Sequence, residues 1–150
     1  QNAMSHIEFI IISKLSTEQF YNYLFDFEYY PNYFPSQIKE VRITKQDEKE
    51  TITEEKIVFS TIVKNVISQT SLHKRISDNE LVTEILDGPA KGSIIRVICN
   101  QIESGIEIKF VVDLKLSLKA KFLTPLIKKF YKKYLTALVL KFNTRTFREC

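Results

Sequence analysis

The stretch IEIKFVVDLKLSLKAKFLTPLIKKFYKKYLTALVLKF, residues 106–142, contains the two clearest secondary-structure patterns of the chain. Residues 106–119 alternate between apolar and mostly polar side chains, which predicts an antiparallel strand with one buried face and one wet face. Thr124 then suits a helix N-cap and Pro125 the first helical position. Beyond them neither Gly nor Pro interrupts a helical pattern of about 22 residues. The residues predicted to recur on its core side are Leu126, Ile127, Phe130, Tyr134, Leu138 and Phe142.

Upstream of this stretch the sequence predicts a strand, a helix and a series of further strands. HIEFIIISKL (6–15) is β-branched and apolar, as in a buried strand. Ser16 and Gln19 have the spacing of a capping box, so a helix is expected from Thr17 to about Asp26. The later strand-like runs are 38–45, 51–63, 66–77, 80–87 and 93–103. This order predicts a single α+β domain over residues 4–150, with residues 1–3 interpreted as a remnant of expression.

The segment FDFEYYPNYFPS (25–36) contains six aromatic side chains within the ten positions 25–34. Pro31 and Pro35 restrict it to short turns of helix. So much apolar area outside regular structure has two interpretations: the segment closes the end of the core, or it lines a place where an apolar molecule binds. The sequence leaves both open.

Charge is distributed unevenly along the chain, whose formal net charge is +4. From Lys119 onward there are nine Lys or Arg residues against the single acid Glu149. A basic C-terminal helix suggests an anionic partner, either phospholipid headgroups or RNA, and a merely solvated helix face is the alternative. The candidate anionic-surface residues are Lys128, Lys129, Lys132 and Lys133.

The sequence offers few groups for chemistry. His6 and His73 are the only histidines, and His73 lies among alternately polar residues, so we expect an exposed strand histidine. Clustered metal ligands and phosphate-loop fingerprints are absent from the sequence, and we therefore predict no catalytic residue, no metal and no cofactor. No run approaches the ~20 apolar residues of a membrane span, and no signal peptide is visible. With two cysteines and no disulfide pattern, we expect a cytoplasmic protein, with attachment to a membrane surface as an option.

Three motifs in this order resemble the polyketide cyclase/coenzyme Q-binding branch of the START-like, Bet v 1-like (SRPBCC) superfamily. They are FDFEYYPNYFP near the first helix, DGPAKGSIIRV (87–97) at a strand start, and KFNTRTF (141–147) in the last helix. The resemblance implies the helix-grip fold, in which a curved seven-stranded antiparallel sheet wraps around the C-terminal helix and encloses an apolar tunnel. Two positions depart from that branch: Ala90 stands where Phe is usual, and Val97 where Trp is frequent. Both changes remove side-chain volume from a wall.

The resemblance suggests binding or transport of an apolar small molecule, such as a lipid, isoprenoid quinone or polyketide-like compound. Tyrosines suit such a site because each combines an apolar body with one polar tip. Two alternatives stay open: a module that associates with RNA or a ribosome through the basic helix, and a cyclase-type enzyme. The predicted ligand-binding residues are Tyr30, Tyr33, Phe34, Phe59, Val97, Phe110, Val112, Leu114, Phe130, Tyr134 and Leu138.

Overall fold

The computed structural model describes residues 5–59 and 63–149, which form seven strands, three α-helices and two 3₁₀ turns. The strands are Ser5–Ser13 (β1), Ile38–Gln46 (β2), Glu50–Phe59 (β3), Val63–Ser77 (β4), Glu80–Asp87 (β5), Ile94–Ile102 (β6) and Gly105–Leu114 (β7). The helices are Thr17–Leu24 (α1), Tyr30–Tyr33 (α2) and Thr124–Glu149 (α3), and the 3₁₀ turns are Phe27–Tyr29 and Lys121–Leu123.

All seven strands form one antiparallel sheet in the order β1-β7-β6-β5-β4-β3-β2. Strands β2 to β7 follow one another as a meander, and β1 returns to pair with β7. The segment with α1 and α2 therefore carries the chain from one edge of the sheet to the other. Register shifts interrupt the β2–β3, β3–β4 and β4–β5 ladders, and such bulges bend strands. The predicted α+β helix-grip architecture is confirmed.

The core lies between α3 and the inner face of the sheet. The alternation predicted for β7 is confirmed, since Ile106, Ile108, Phe110, Val112 and Leu114 are all fully buried. Strand β7 lies between β1 and β6, so its inner face has neighbours on both sides. The buried residues that α3 directs toward the sheet are Ile127, Tyr131, Leu135, Leu138, Val139 and Phe142.

Two local features, the start of α1 and the turn before β7, have the geometry that their residues require. The Ser16 hydroxyl accepts from the Gln19 backbone N–H at 3.1 Å, and the Gln19 side chain accepts from the Ser16 N–H at 3.0 Å. The predicted capping box is thus confirmed, although α1 ends at Leu24 rather than near Asp26. Gly105 begins β7 with φ +147°, and a Cβ there would lie 2.1 Å from the Ser13 carbonyl oxygen. That turn therefore needs glycine.

Strand β7 is shorter than predicted, because it ends at Leu114 rather than continuing to residue 119. The neighbouring β6 begins at Ile94 opposite Asp113, so its ladder ends there. Beyond the ladder, the Lys115 N–H donates to the Ser93 hydroxyl at 2.8 Å instead of to a strand carbonyl. Leu118, predicted to be on the buried face, is 84% exposed.

The start of α3 also differs from the prediction. Thr124 already has helical dihedral angles (φ −47°, ψ −49°), and its hydroxyl donates to the Lys121 carbonyl at 2.6 Å. It is therefore not an N-cap, because the preceding 3₁₀ turn runs directly into the helix. The helix has 26 residues rather than about 22. Leu126 is 52% exposed, since the buried stripe passes through Ile127 instead.

Candidate ligand-binding site

An internal cavity of about 130 Å³ lies between the sheet and α3. Its walls come from the inner faces of β2 to β7 and from one side of α3, while Leu24, Phe27 and Tyr30 close the end near the short helices. Most of the lining is aliphatic or aromatic. The geometry is that of a mainly apolar chamber within the fold that is partly open to solvent.

The structure brings together some of the eleven predicted binding residues and separates others. Those on the cavity wall are Tyr30, Val97, Phe110, Phe130, Tyr134 and Leu138. Among the described residues, the wall does not include Tyr33, Phe34, Val112 or Leu114. Val112 and Leu114 are fully buried on the inner face of β7 and belong to the hydrophobic core, but they do not line the chamber. Phe59 ends β3, and its side chain lies outside the described part of the structure.

The aromatic segment at 25–36 contributes both to the wall of the chamber and to the core beside it. Phe27 stacks on His73 at 4.1 Å between ring centroids, and Tyr30 lies on the cavity wall. Tyr33 instead packs against Phe142 at 5.6 Å, and its hydroxyl accepts from Arg145 at 2.8 Å. Successive turns of this segment therefore line the chamber and close the core beside it.

A buried polar cluster on β3, β4 and β5 forms one side of the chamber and was missed by sequence reasoning. The expectation of an exposed His73 is wrong: this residue is only 7% exposed. One imidazole nitrogen lies 2.9 Å from the Thr53 hydroxyl and the other 2.8 Å from the Thr83 hydroxyl. Alternation along a strand separates its two faces, and a face with polar residues is ordinarily the solvent-exposed one. In β4 the polar His73 instead lies on the inner face, so the pattern alone assigns it to the wrong side.

Hydrogen-bond directions within this polar cluster follow from the protonation state of His73. Burial lowers the pKa of His73 to about 3, so the imidazole is neutral and carries one N–H. The Thr53 hydroxyl donates its proton to a Glu55 carboxylate oxygen at 2.8 Å, so it must accept from the His73 Nε2–H. The other nitrogen, Nδ1, then accepts from Thr83. The result is an ordered chain of donors from Thr83 through His73 and Thr53 to Glu55.

Glu55 is the acidic end of that chain and also lines the chamber. Its side chain is 14% exposed, and burial raises its pKa above the ordinary value. Hydrogen bonds from Gln69 at 2.7 Å and Ser71 at 3.1 Å oppose that rise because they stabilise the carboxylate. The chamber thus has a mostly apolar wall facing a hydrogen-bonded carboxylate.

Cys99 does not add a reactive group to the site. It is buried on β6, and that burial raises the pKa of its thiol to about 11. A thiol of this pKa is almost entirely protonated near neutral pH and is a poor nucleophile.

A second cavity of about 400 Å³ lies next to the first, near the start of α3. The two share Gln69 and Tyr131 as lining residues, so these side chains stand between them. Val97 lies on the wall of the inner chamber, whereas Ala90 lies on the wall of the outer one. The two small residues noted as departures therefore border one chamber each.

The surface near the outer chamber combines exposed apolar side chains with lysines. Leu118 and Phe122 are 84% and 78% exposed, and Lys119 and Lys121 are exposed beside them. Of the four predicted anionic-surface lysines, Lys128 is half-buried and the other three are exposed. Within the part of the chain that the structure describes, no helix is both long and apolar enough to cross a membrane.

Solved structures of other proteins share this architecture at low sequence identity. An aromatase/cyclase (Zhui) from Streptomyces sp. R1128 matches with a TM-score of 0.78 and 12% identity over 95% of this chain and 96% of its own. A START superfamily protein from Mycobacterium smegmatis matches with a TM-score of 0.73 and 15% identity over 100% of both chains. Norcoclaurine synthase from Thalictrum flavum, solved with dopamine and hydroxybenzaldehyde, matches with a TM-score of 0.75 and 10% identity over 99% of this chain and 90% of its own.

Comparison by sequence finds no match, whereas comparison by structure finds several. No family model matches the chain, and no curated protein matches its sequence. The agreement with these solved structures nevertheless extends over nearly the whole chain and over each neighbour's own length. The chain therefore has the START/Bet v 1 (SRPBCC) fold.

Proposed function

We propose that this protein binds an apolar-bodied small molecule in the chamber between the sheet and α3. The observation that carries the proposal is the mainly apolar cavity between the sheet and α3, lined by Val97, Phe110 and Leu138. Burial of ligand in such a chamber is favourable by roughly 25 cal/mol per Å² of apolar area removed from water. The candidate ligand classes are a lipid, an isoprenoid quinone and a polyketide-like ring compound.

The size of the cavity distinguishes compact ring compounds from long-chain ligands. A chamber of about 130 Å³ is close to the ~150 Å³ of engineered cavities that accept benzene, and below the ~300 Å³ at the lower end of ordinary ligand sites. A compact ring therefore fits the inner chamber as it stands. A longer chain requires the inner and outer chambers to join, which needs movement of Tyr131 or Gln69 at their boundary.

Filling the inner chamber tests this proposal. Val97→Trp places a large side chain into the cavity, whereas Ile98→Trp, on the next residue of β6, directs the same group to the opposite face. We expect solvent extracts of the purified wild type and Ile98→Trp proteins to contain the same bound compound by mass spectrometry, and Val97→Trp to lack it. Circular dichroism establishes that both variants are folded. Equal ligand content in all three proteins would contradict binding at this site.

A second proposal, attachment to an anionic membrane, is favoured by the surface around Leu118, Phe122 and Leu126. These side chains are exposed, and residues 115–148 contain no acidic residue. Apolar side chains that enter the headgroup region and lysines that attract anionic lipid are the two components of surface attachment. The unpaired, buried thiol of Cys99 is compatible with a cytoplasmic setting.

Vesicle sedimentation separates this proposal from RNA binding. We expect binding to phosphatidylcholine vesicles that contain phosphatidylglycerol, weaker binding to pure phosphatidylcholine, and a loss of binding in Phe122→Ser. The control is Phe147→Ser, because Phe147 is equally exposed but lies at the far end of α3. An RNA-binding module would retain steeply salt-dependent RNA binding in Phe122→Ser. Equal binding of neutral and anionic vesicles would contradict a role for the lysines, and no binding to either would leave only a solvated helix face.

Cyclase-type catalysis stays a prediction from the family resemblance. Glu55 and the neutral His73 are the groups in the chamber that a proton transfer would use. Turnover of a polyketide-like substrate that is lost in His73→Gln would support this alternative.

A further inference from the structure

The inner face of the sheet is divided into an apolar part and a polar part, and a wholly apolar ligand uses only the first. Strands β6 and β7 present Val97 and Phe110 to the chamber, whereas β3 and β4 present Glu55, Ser71 and His73. Hydrocarbon placed directly against a buried carboxylate removes the remaining solvation of that carboxylate, which is costly. The polar part of the face therefore indicates that the ligand carries a polar group as well as an apolar body.

Glu55 has an acceptor position left over after its protein partners are counted. A carboxylate offers about four lone-pair sites. Among the described residues, Gln69 and Ser71 donate to Oε1, while Thr53 is the hydrogen-bond donor to Oε2. His73 Nε2 lies 3.9 Å from Oε2, too far for a hydrogen bond, and its proton is directed to Thr53. One site on Oε2 is thus available to a donor in the chamber.

We propose that Glu55 anchors a ligand that carries a hydrogen-bond donor, a hydroxyl or an amine, attached to a compact apolar ring. The ring packs against the apolar part of the chamber, and its donor is accepted by Oε2 of Glu55. This inference rests on the proposed function, since it assigns the chemistry of a ligand in the same cavity.

The polar cluster holds Glu55 in position before any ligand arrives. Phe27 stacks on the His73 ring, and the donor chain from Thr83 through His73 ends at Thr53, which holds Oε2. Gln69 and Ser71 hold Oε1. A carboxylate that is already ordered loses little conformational entropy when it accepts a ligand hydrogen bond, and this preorganisation favours affinity.

A pair of isosteric probes tests the anchor by titration calorimetry. p-Cresol and p-xylene differ in one group, a hydroxyl in place of a methyl, and both match the compact size of the chamber. Glu55→Gln keeps the shape of the side chain but removes its charge and one acceptor oxygen. Glu54→Gln is the matched control, because Glu54 is the adjacent residue, is exposed and pairs with Arg42 on the other face of the sheet.

We expect Glu55→Gln to weaken p-cresol binding about tenfold, which corresponds to one charge-assisted hydrogen bond. The same variant should not weaken p-xylene binding, because removing the charge lowers the cost of placing hydrocarbon beside this side chain. Glu54→Gln should change neither affinity. Glu55→Asp, which retains the charge but withdraws the oxygens by one methylene, provides a second variant and should also weaken p-cresol selectively. If both probes bind but Glu55→Gln and Glu55→Asp affect them equally, the anchor is wrong while the proposed function stands. If neither probe binds the wild type, binding of compact rings in this chamber is itself wrong, and the anchor falls with it.

Discussion

Neutral His73 should make the stability of this protein depend on pH in a way that can be assigned to one residue. Burial lowers its pKa to about 3 in the folded state, against about 6.5 in an unfolded chain. Between these values the unfolded state binds a proton that the folded state does not. The contribution of His73 is therefore fully present above pH 6.5 and is lost as the pH falls toward 3. Each pH unit corresponds to about 1.4 kcal/mol, so about 2 kcal/mol is lost between pH 6.5 and pH 5.

Urea unfolding of the wild type and His73→Gln at pH 7.5 and pH 5.0 measures this contribution. We expect the wild type to lose about 2 kcal/mol of unfolding free energy relative to the variant over that interval. Glu55 acts in the opposite sense, because its raised pKa contributes stability that is lost as the pH rises. That contribution is shared by both proteins and largely cancels in the difference.

His6→Gln is the control for the assay. His6 is exposed, and its pKa is raised by a hydrogen bond with Asp113 and a second one with Glu8. Any contribution from His6 is therefore present at low pH and lost as the pH rises, the reverse of His73. If the difference between wild type and His73→Gln were the same at both pH values, His73 would titrate alike in the folded and unfolded chains, and the reasoning from burial would be refuted.

Three further predictions use the same unfolding assay. Phe110→Asp should unfold the domain or destabilise it by more than about 4 kcal/mol, because it buries an unpaired charge. Lys109→Gln on the outer face should cost about 1 kcal/mol or less. Equal effects of the two substitutions would mean that the register of β7 is wrong. Gly105→Ala should cost about 3 kcal/mol or more, since its φ and the approach of the Ser13 carbonyl both exclude a Cβ, and a neutral result would refute that turn geometry. Tyr33→Ala should cost about 3–5 kcal/mol of unfolding free energy. It should leave the rise in melting temperature produced by p-xylene unchanged, because Tyr33 packs against Phe142 and does not line the chamber. Loss of that rise would instead place Tyr33 at the ligand.

Local chemistry in the sequence determined the order and type of the elements. The alternation at 106–114 specified β7 and its buried face, and Ser16 with Gln19 specified the start of α1, because these signals depend on residues close together in the chain. A resemblance in three short motifs then suggested the helix-grip fold, which the sheet order and α3 bear out.

Tertiary structure alone decided which polar groups meet at and beside the chamber. Thr53, His73 and Thr83 lie on three different strands, and only the pairing of β3, β4 and β5 brings them within hydrogen-bond distance. The polar alternation of β3 and β4 could not reveal this, because a period of two separates the faces of a strand without telling which one is inward. Likewise, β7 ends at Leu114 because its regular ladder with β6 stops at Ile94, opposite Asp113. This end point depends on the partner strand rather than on the pattern of β7 itself.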